Sequence, residues 1–312
     1  MMRRSSEIGS TIYSLIVRRA LPHQLLAVSL AIVVAPLAAV PLAMQERLID
    51  QALPAKDFGL ALTLALLYGA AVLGRSLIKS TVTWLQGVIA EIISRVLRQA
   101  LIDTQRRRNR KAARQELGTA TSVITAEVDA LGGFAAEAIS TPMLQGAVMV
   151  GILGFMLVTE PMLAAIGVAA LVLEAVLTPL LQARVNRQTR LRIESLRDVS
   201  GETIAATETG LRQHNVAALR GVRQTFKINL TMNALKVAMK LIKHVIDHAA
   251  DVAVLVVGAW LVIKGQTEIG VVVAFLAGMR ELREPWGELI GFYRRWEDAR
   301  TKLDLVRSAF ED

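Results

Sequence analysis

The sequence predicts an all-α membrane protein with six transmembrane helices and two long helical cytoplasmic extensions. Of its 312 residues, 53% are hydrophobic and only 20% are charged, and the mean hydropathy is +0.45. Several long stretches carry no charge, and a soluble protein could not cover them with polar surface. Cysteine is absent, which excludes disulfides, thiol nucleophiles and cysteine metal sites.

Four apolar runs predict the first four spans, near residues 24–45, 58–79, 138–159 and 161–183. A helix of about 20 apolar residues crosses about 30 Å of hydrocarbon, and these runs have that length. Only Glu174 interrupts the fourth run. A basic segment precedes the first run, as in a signal peptide. That run is too long for a signal sequence and no clean cleavage site follows it, so we expect a retained span.

The C-terminal third is less apolar. Val252–Ile263 and Ile269–Met279 are each uncharged for about half the length of a span. Hydropathy alone therefore leaves two possibilities, a re-entrant hairpin or two full spans near 244–263 and 268–289.

Basic residues are concentrated on one side of the predicted membrane. They lie before the first span and in the connectors near 87–137 and 184–243, whereas the connectors at 46–57, 159–161 and 264–270 are short and poor in Lys and Arg. Cytoplasmic loops carry such an excess, so we expect both termini in the cytoplasm and a multi-pass protein, expected in a bacterial inner membrane.

The two basic connectors contain no proline and are rich in helix-favouring residues, which predicts helical extensions of the spans. Gly118 and Gly210 lie near their middles, where we expect each helix to stop and reverse. The run RRRNRK at 106–111 could be a nucleic-acid patch. No aromatic platform accompanies it, so we interpret it as a solvated or lipid-facing helix and expect no nucleic-acid partner.

No enzyme motif is found in the sequence. The phosphate-binding pattern GxxxxGK[ST] is missing, as are HExxH, GxSxG and GxGxxG. We therefore expect no enzymatic activity from this chain by itself.

The segment GTATSVITAEVDAL at 118–131 resembles the first intracellular loop in the transmembrane domain of type I ABC exporters. Thr119 and Val123 depart from the family pattern, which usually has Glu and Arg there. Glu208, Gly210 and Leu211 resemble the second loop more weakly. The matching positions of the first loop are Gly118, Ser122, Thr125, Val128, Asp129, Ala130 and Leu131.

The segment 254–289 resembles the fifth and sixth spans of the same family, which favours two full spans over the hairpin. The matching residues are Gly258, Gly265, Gly270, Ala274, Phe275, Pro285 and Leu289. The likeness extends over nearly all of residues 1–312 as one transmembrane domain.

The resemblance implies the permease subunit of an ATP-driven exporter. It would form the translocation path in the lipid bilayer as a dimer, with itself or a homologous chain, and would couple to a separate ATPase subunit that binds ATP and Mg. The alternative is a non-pumping membrane scaffold or sensor. The resemblance places coupling at the connector tips, which could otherwise be ordinary solvated turns: Gln115, Glu116, Leu117, Gly118, Thr119, Thr207, Thr209 and Gly210.

Two charged clusters lie within the last two predicted spans, about 20–30 Å from the external turn at 1.5 Å per residue. They consist of His244, Asp247, His248 and Asp251 on the fifth span, and of Arg280, Glu281, Arg283, Glu284 and Glu288 on the sixth. Such groups in hydrocarbon are costly and indicate paired or wet sites. Three interpretations remain: pairing of Asp251 with Arg280 or Arg283, a water-filled substrate path, or a metal site built on the two histidines.

The charge balance of these clusters predicts a cationic or zwitterionic substrate. Five carboxylates face two arginines, and we expect Arg75 and Glu174, at similar depth, to cancel each other. Carboxylates without a cation in a low-dielectric site either take up protons or hold a cationic ligand.

Overall fold

The structure is a computed structural model that describes residues 2–108, 116–209 and 212–311. Side chains are described from residue 21 to 299, apart from 100–128, 200–218 and several single positions. Across these ranges the chain is helical, with no strand, which confirms the predicted all-α fold.

Six long helices account for almost all of the described chain. The elements are α1 (Met2–Arg47), a π-helical segment (Leu48–Ala52), α2 (Leu53–Ala55), α3 (Phe58–Arg108), α4 (Glu116–Thr159), α5 (Pro161–Thr209), α6 (Arg212–Ile263) and α7 (Ile269–Glu311). Parts of α1, α3, α4, α5 and α6 are long and apolar enough to cross a membrane. The sixth predicted span lies in α7, whose charged residues keep it outside this group of five.

The C-terminal third consists of two continuous helices joined by a tight turn. Gly265 has a left-handed backbone (φ 70°), which glycine adopts without strain, and its N–H donates to the Val262 carbonyl at 2.9 Å. Each arm of this segment belongs to a long continuous helix, because α6 runs unbroken through Val252–Ile263 and α7 through Ile269–Met279. Two full spans near 244–263 and 268–289 stay a prediction.

One predicted helix break is wrong. Gly118 lies inside α4 as its third residue, so no helix ends there, and residues 109–115 lie outside the described residues. A glycine in the first turn weakens a helix little, because the backbone N–H groups there have no helical partner anyway. Gly210 lies outside the described residues, in the gap between the end of α5 and the start of α6.

The described helices form two compact units. A four-helix unit (residues 1–161 and 261–312) contains α1, α3, α4 and α7, and a two-helix unit (162–260) contains α5 and α6. In the four-helix unit α4 packs against the other three long helices. In the two-helix unit, Ser195 and Thr225 share a buried hydrogen bond of 2.7 Å.

Small residues let α4 approach its neighbours closely. A Cβ at Gly151 would collide with the backbone carbonyl of Ala35 on α1, and one at Gly132 with Ser94 on α3. These contacts bring α4 close to α1 and α3.

Candidate functional site

Two ion pairs connect α3 to α7 inside the four-helix unit. Arg75 Nη1 donates to Glu281 Oε2, and Lys79 Nζ donates to Glu284 Oε1. The bases are four residues apart on α3 and the acids three apart on α7, so the pairs lie about one helical turn apart. Both helices pack mainly on α1 and α4, and it is the long side chains that bridge the gap between them.

The polar contacts continue from these pairs toward the C-terminal end of α7. Arg295 Nε lies 2.9 Å from a Glu137 carboxylate oxygen on α4, and its Nη2 lies 3.6 Å from Glu288. Gln86 donates to the hydroxyls of Ser140 and Thr141 at 2.7 and 3.1 Å. We name this set the polar column: Arg75, Lys79, Thr83, Gln86, Glu137, Thr141, Gln145, Glu281, Glu284, Glu288 and Arg295.

Two adjoining cavities, of about 120 and 200 Å³, lie along the polar column. Lys79, Leu144 and Gln145 line both. Gln145 is only 8% exposed, and no described residue forms a hydrogen bond with its amide. An amide can both donate and accept, so Gln145 offers unused hydrogen-bonding capacity to whatever fills the cavities.

Pro285 lines the smaller cavity and changes the backbone hydrogen bonding beside it. It lies inside α7 and has no N–H, so the carbonyl of Glu281, four residues earlier, loses its usual helical donor. Both residues line that cavity. Broken backbone hydrogen bonding at membrane depth is tolerated where it lines a polar cavity.

The polar column lies at membrane depth if α7 crosses the bilayer. Glu281 is about 18 Å and Arg295 about 39 Å from the start of α7, at 1.5 Å per residue. The column would then extend from the bilayer interior to its cytoplasmic boundary, since the hydrocarbon is about 30 Å thick. A third cavity, of about 330 Å³ and lined by Met44, Leu48, Ile49, Leu64 and Tyr68 among others, has no charged side chain in its lining.

The histidine and aspartate cluster lies in the two-helix unit. Nδ1 of His248 is 3.8 Å from Asp251 Oδ2, and the rings of His244 and His248 are 6.4 Å apart. Asp251 is half-buried, as is Asp247, whereas both histidines are exposed. Beside this cluster, Lys243 Nζ donates to the buried Glu174 at 2.5 Å and joins α6 to α5.

The partners of the charged residues differ from the sequence-based expectation. We expected Arg75 and Glu174 to cancel each other, but Arg75 pairs with Glu281 and Glu174 with Lys243. Glu281, Glu284 and Glu288 each have a basic partner, so the α7 carboxylates are not a surplus. Arg280 is exposed, and the described residues contain no group of three His, Asp or Glu side chains placed to hold a metal.

Sequence reasoning missed Lys79, Glu137, Lys243 and Arg295. A periodicity signal existed for two of them: Lys79 is one helical turn beyond Arg75, and Arg295 is two turns beyond Glu288. Glu137 and Lys243 lie at the edges of the predicted spans, where the sequence alone places them in the connectors.

The predicted coupling residues are only partly described. Gln115 and Gly210 lie outside the described residues. Glu116, Leu117, Gly118 and Thr119 open α4, and Thr207 and Thr209 close α5, with backbone alone described for all six. Their place at the ends of long helices agrees with connector tips, and their side-chain roles stay a prediction.

The long apolar helices define a multi-pass membrane protein, and the polar column places ion pairs inside its four-helix unit. Residues 25–207, more than half of the 312, match the family described as the ABC transporter transmembrane region. The chain therefore belongs to that family, which confirms the resemblance inferred from the first connector. A search of curated individual proteins found no match. The family match ends before α6 and α7, so the likeness noted at 254–289 stays a prediction.

Proposed function

We propose that this chain is the permease subunit of an ATP-driven exporter, in which two copies form the translocation path and a separate ATPase drives it. The family match over residues 25–207 carries this proposal. The 312 residues contain no GxxxxGK[ST] motif, so ATP and Mg would bind to the ATPase partner.

An exposed apolar stripe on α6 supports a second copy as the partner within the membrane. Leu219, Leu230, Leu241, Val252 and Ile263 recur at intervals of 11 residues, close to three helical turns, and each is more than half exposed. Phe226 and Val237 lie on the same face and are equally exposed. We name these seven residues the α6 stripe.

The length of the α6 stripe favours a membrane-spanning partner. It covers about 66 Å at 1.5 Å per residue, about twice the hydrocarbon thickness. Lipid can cover the end near Ile263 but not the end near Leu219, where exposed apolar surface in water indicates a protein contact. A cytoplasmic ATPase could not follow the stripe into the bilayer, whereas a second copy of the chain could follow all of it.

Coupling to the ATPase is assigned to the helix ends far from the membrane. The 51 residues of α3 are about 76 Å long at 1.5 Å per residue, so its C-terminal end lies well outside the hydrocarbon. ATP binding to the ATPase at the connector tips would shift the equilibrium between two packing arrangements of these long helices. The residues proposed for this contact are Gln115 to Thr119, Thr207, Thr209 and Gly210.

Crosslinking tests the coupling directly, because the chain has no natural cysteine. Thr119→Cys and Gly210→Cys, purified from the native membrane with the bound ATPase, should crosslink to that ATPase. Gln266→Cys, in the turn at the other end of α6, should not. Purified chain without the partner should hydrolyse no ATP above background. Crosslinks at Gln266→Cys alone, or intrinsic hydrolysis by the chain, would contradict the proposal.

The translocation path is proposed to include the polar column and the His244, Asp247, His248 and Asp251 cluster. Ionisable groups at membrane depth usually face a path or a wet cavity. Asp247→Asn and Asp251→Asn, alone and together, should reduce ATP-driven transport in vesicles while the protein still folds and crosslinks to its ATPase. Unchanged transport would assign this cluster a structural role.

A further inference from the structure

We infer that the polar column is a binding site for small linear zwitterions whose ammonium and carboxylate groups are about one helical turn apart. This inference rests on the proposed transport function and names the substrate class of its path. Dipeptides and amino acids with a terminal amine have this charge separation, whereas α-amino acids hold the two charges much closer together.

The first reason is that the ion pairs are already balanced. Arg75 and Glu281 form the first pair, and Lys79 and Glu284 form the second. A ligand with only a positive charge would take a carboxylate and leave a base without a partner at membrane depth. A ligand with only a negative charge would leave a carboxylate unpaired. An unpaired charge is most costly at the Arg75–Glu281 pair, whose side chains are each only 24% exposed.

A zwitterion avoids both penalties by exchanging partners. Its carboxylate can accept from Arg75 while its ammonium donates to Glu284. Lys79 and Glu281 then lie diagonally across the gap and can pair with each other. The opposite orientation is equivalent, with Lys79 and Glu281 binding the ligand, so every charge keeps a partner before and after binding.

The spacing of the two pairs sets the length of the ligand. The bases are about 6 Å and the acids about 4.5 Å apart along their helices, at 1.5 Å per residue. A ligand must therefore separate its charged ends by about 5–6 Å to reach a charged group in each of the two ion pairs. The adjoining cavities, of about 120 and 200 Å³, have room for a molecule of dipeptide size.

The cavity lining also fits a peptide-like body between the charges. The buried Gln145 amide lines both cavities and has no hydrogen-bond partner among the described residues. The Glu281 carbonyl, released by Pro285, is a further acceptor. A ligand that both donates and accepts between its charged ends would satisfy these two groups.

Four matched probes test the inference by calorimetric titration into the purified chain in lipid nanodiscs. The probes are glycylglycine, glycine, glycylglycinamide, which lacks the negative charge, and N-acetylglycylglycine, which lacks the positive charge. We expect glycylglycine to bind and each of the other three to bind at least about tenfold more weakly, since each loses one charge-assisted contact. Equal or tighter binding of glycylglycinamide, or no binding of glycylglycine, would overturn the inference.

Variants of the first pair locate the site. Arg75→Gln with Glu281→Gln should lower glycylglycine affinity at least about tenfold, because one of the two ion pairs that bind the charged ends of the ligand is removed. The conservative double variant Arg75→Lys with Glu281→Asp keeps the base on α3 and the acid on α7, and it should bind more tightly than the neutral double variant. Tyr68→Phe, in the third cavity, is the matched control and should bind as the parent does. Unchanged binding in the neutral double variant would overturn the inference, and so would a conservative variant that folds but binds no better than the neutral one.

This experiment uses neither ATPase nor nucleotide, so it separates the inference from the proposed function. Glycylglycine binding without ATPase crosslinking would support the binding site and contradict the exporter proposal. ATPase crosslinking without any glycylglycine binding would contradict only the proposed substrate class.

Discussion

At the scale of single residues, the charges on α7 are tolerated because α3 and α4 supply their partners. A charged side chain at the centre of a bilayer costs about 2.5–3.5 kcal/mol on insertion scales. Arg75 and Lys79 extend across the gap to Glu281 and Glu284, and Arg295 binds Glu137 on α4. The pairs differ in exposure: the Arg75–Glu281 side chains are each 24% exposed, whereas Lys79 and Glu284 are 47% and 65% exposed.

This difference predicts unequal effects on stability. Arg75→Gln should destabilise the four-helix unit by roughly 1–3 kcal/mol, because it leaves Glu281 partly buried and uncompensated. Lys79→Gln, the matched control, should cost less than about 1 kcal/mol because solvent screens the more exposed pair. Thermal unfolding in detergent, followed by tryptophan fluorescence, measures both. Equal costs for the two variants would mean that exposure does not decide the strength of these pairs.

The sequence predicted the acids of this site better than their partners. Glu281, Glu284 and Glu288 follow i, i+3, i+7 spacing, so a shared helix face could be inferred from their positions alone. Which helix faces them is a tertiary property that local spacing does not contain. Local spacing therefore predicts neither the pairing of Arg75 with Glu281 nor the contributions of Lys79 and Arg295.

At the scale of helices, small residues set the distance between α1 and α4. Gly151 faces the backbone carbonyl of Ala35 so closely that a Cβ there would collide with it, and a backbone atom cannot move aside as a side chain can. Gly146, on the same helix, has open space where its Cβ would be. The two glycines therefore differ in packing while sharing a helix and a residue type.

Gly151→Ala should destabilise the protein by about 1–3 kcal/mol, the usual cost of overpacking a tight contact. Gly146→Ala should be neutral or slightly stabilising, because alanine is the better helix former by up to about 1 kcal/mol. Chemical denaturation of both variants in mixed micelles provides the comparison. A loss of stability in Gly146→Ala as large as in Gly151→Ala would refute the close-contact explanation.

The length and order of the helices were predictable, but their breaks were less so. Three uncharged runs, and a fourth interrupted only by Glu174, mark the spans in α1, α3, α4 and α5, because hydrocarbon requires long apolar stretches. Gly118 does not end a helix, since a glycine costs little in a first helical turn. In α7, composition alone does not distinguish a span from a hairpin, and the partners of its charged residues lie on other helices, where local sequence does not show them.

At the scale of the whole molecule, the polar column and the α6 stripe differ in whether the chain itself supplies their partners. The polar column is closed within the four-helix unit by its own ion pairs. The α6 stripe is different, since all seven of its apolar residues are more than half exposed over a length that no bilayer covers. A solvent-exposed apolar stripe of this length is unfavourable in an isolated chain and favours a stable complex.

The position of a second copy can be tested on the α6 stripe, beyond the end that lipid can cover. Phe226 lies on the stripe, and Gln224, two residues earlier, is also exposed but points about 160° away at 100° per residue. Because the chain has no cysteine, Phe226→Cys and Gln224→Cys can each carry one benzophenone-maleimide.

Illumination in native membranes should join two copies of the chain through Phe226→Cys and leave Gln224→Cys monomeric. Mixing tagged and untagged chains identifies a product between two copies. Equal crosslinking from both positions would indicate random collision, and a product of one chain plus an ATPase at Phe226→Cys would assign the stripe to that partner instead.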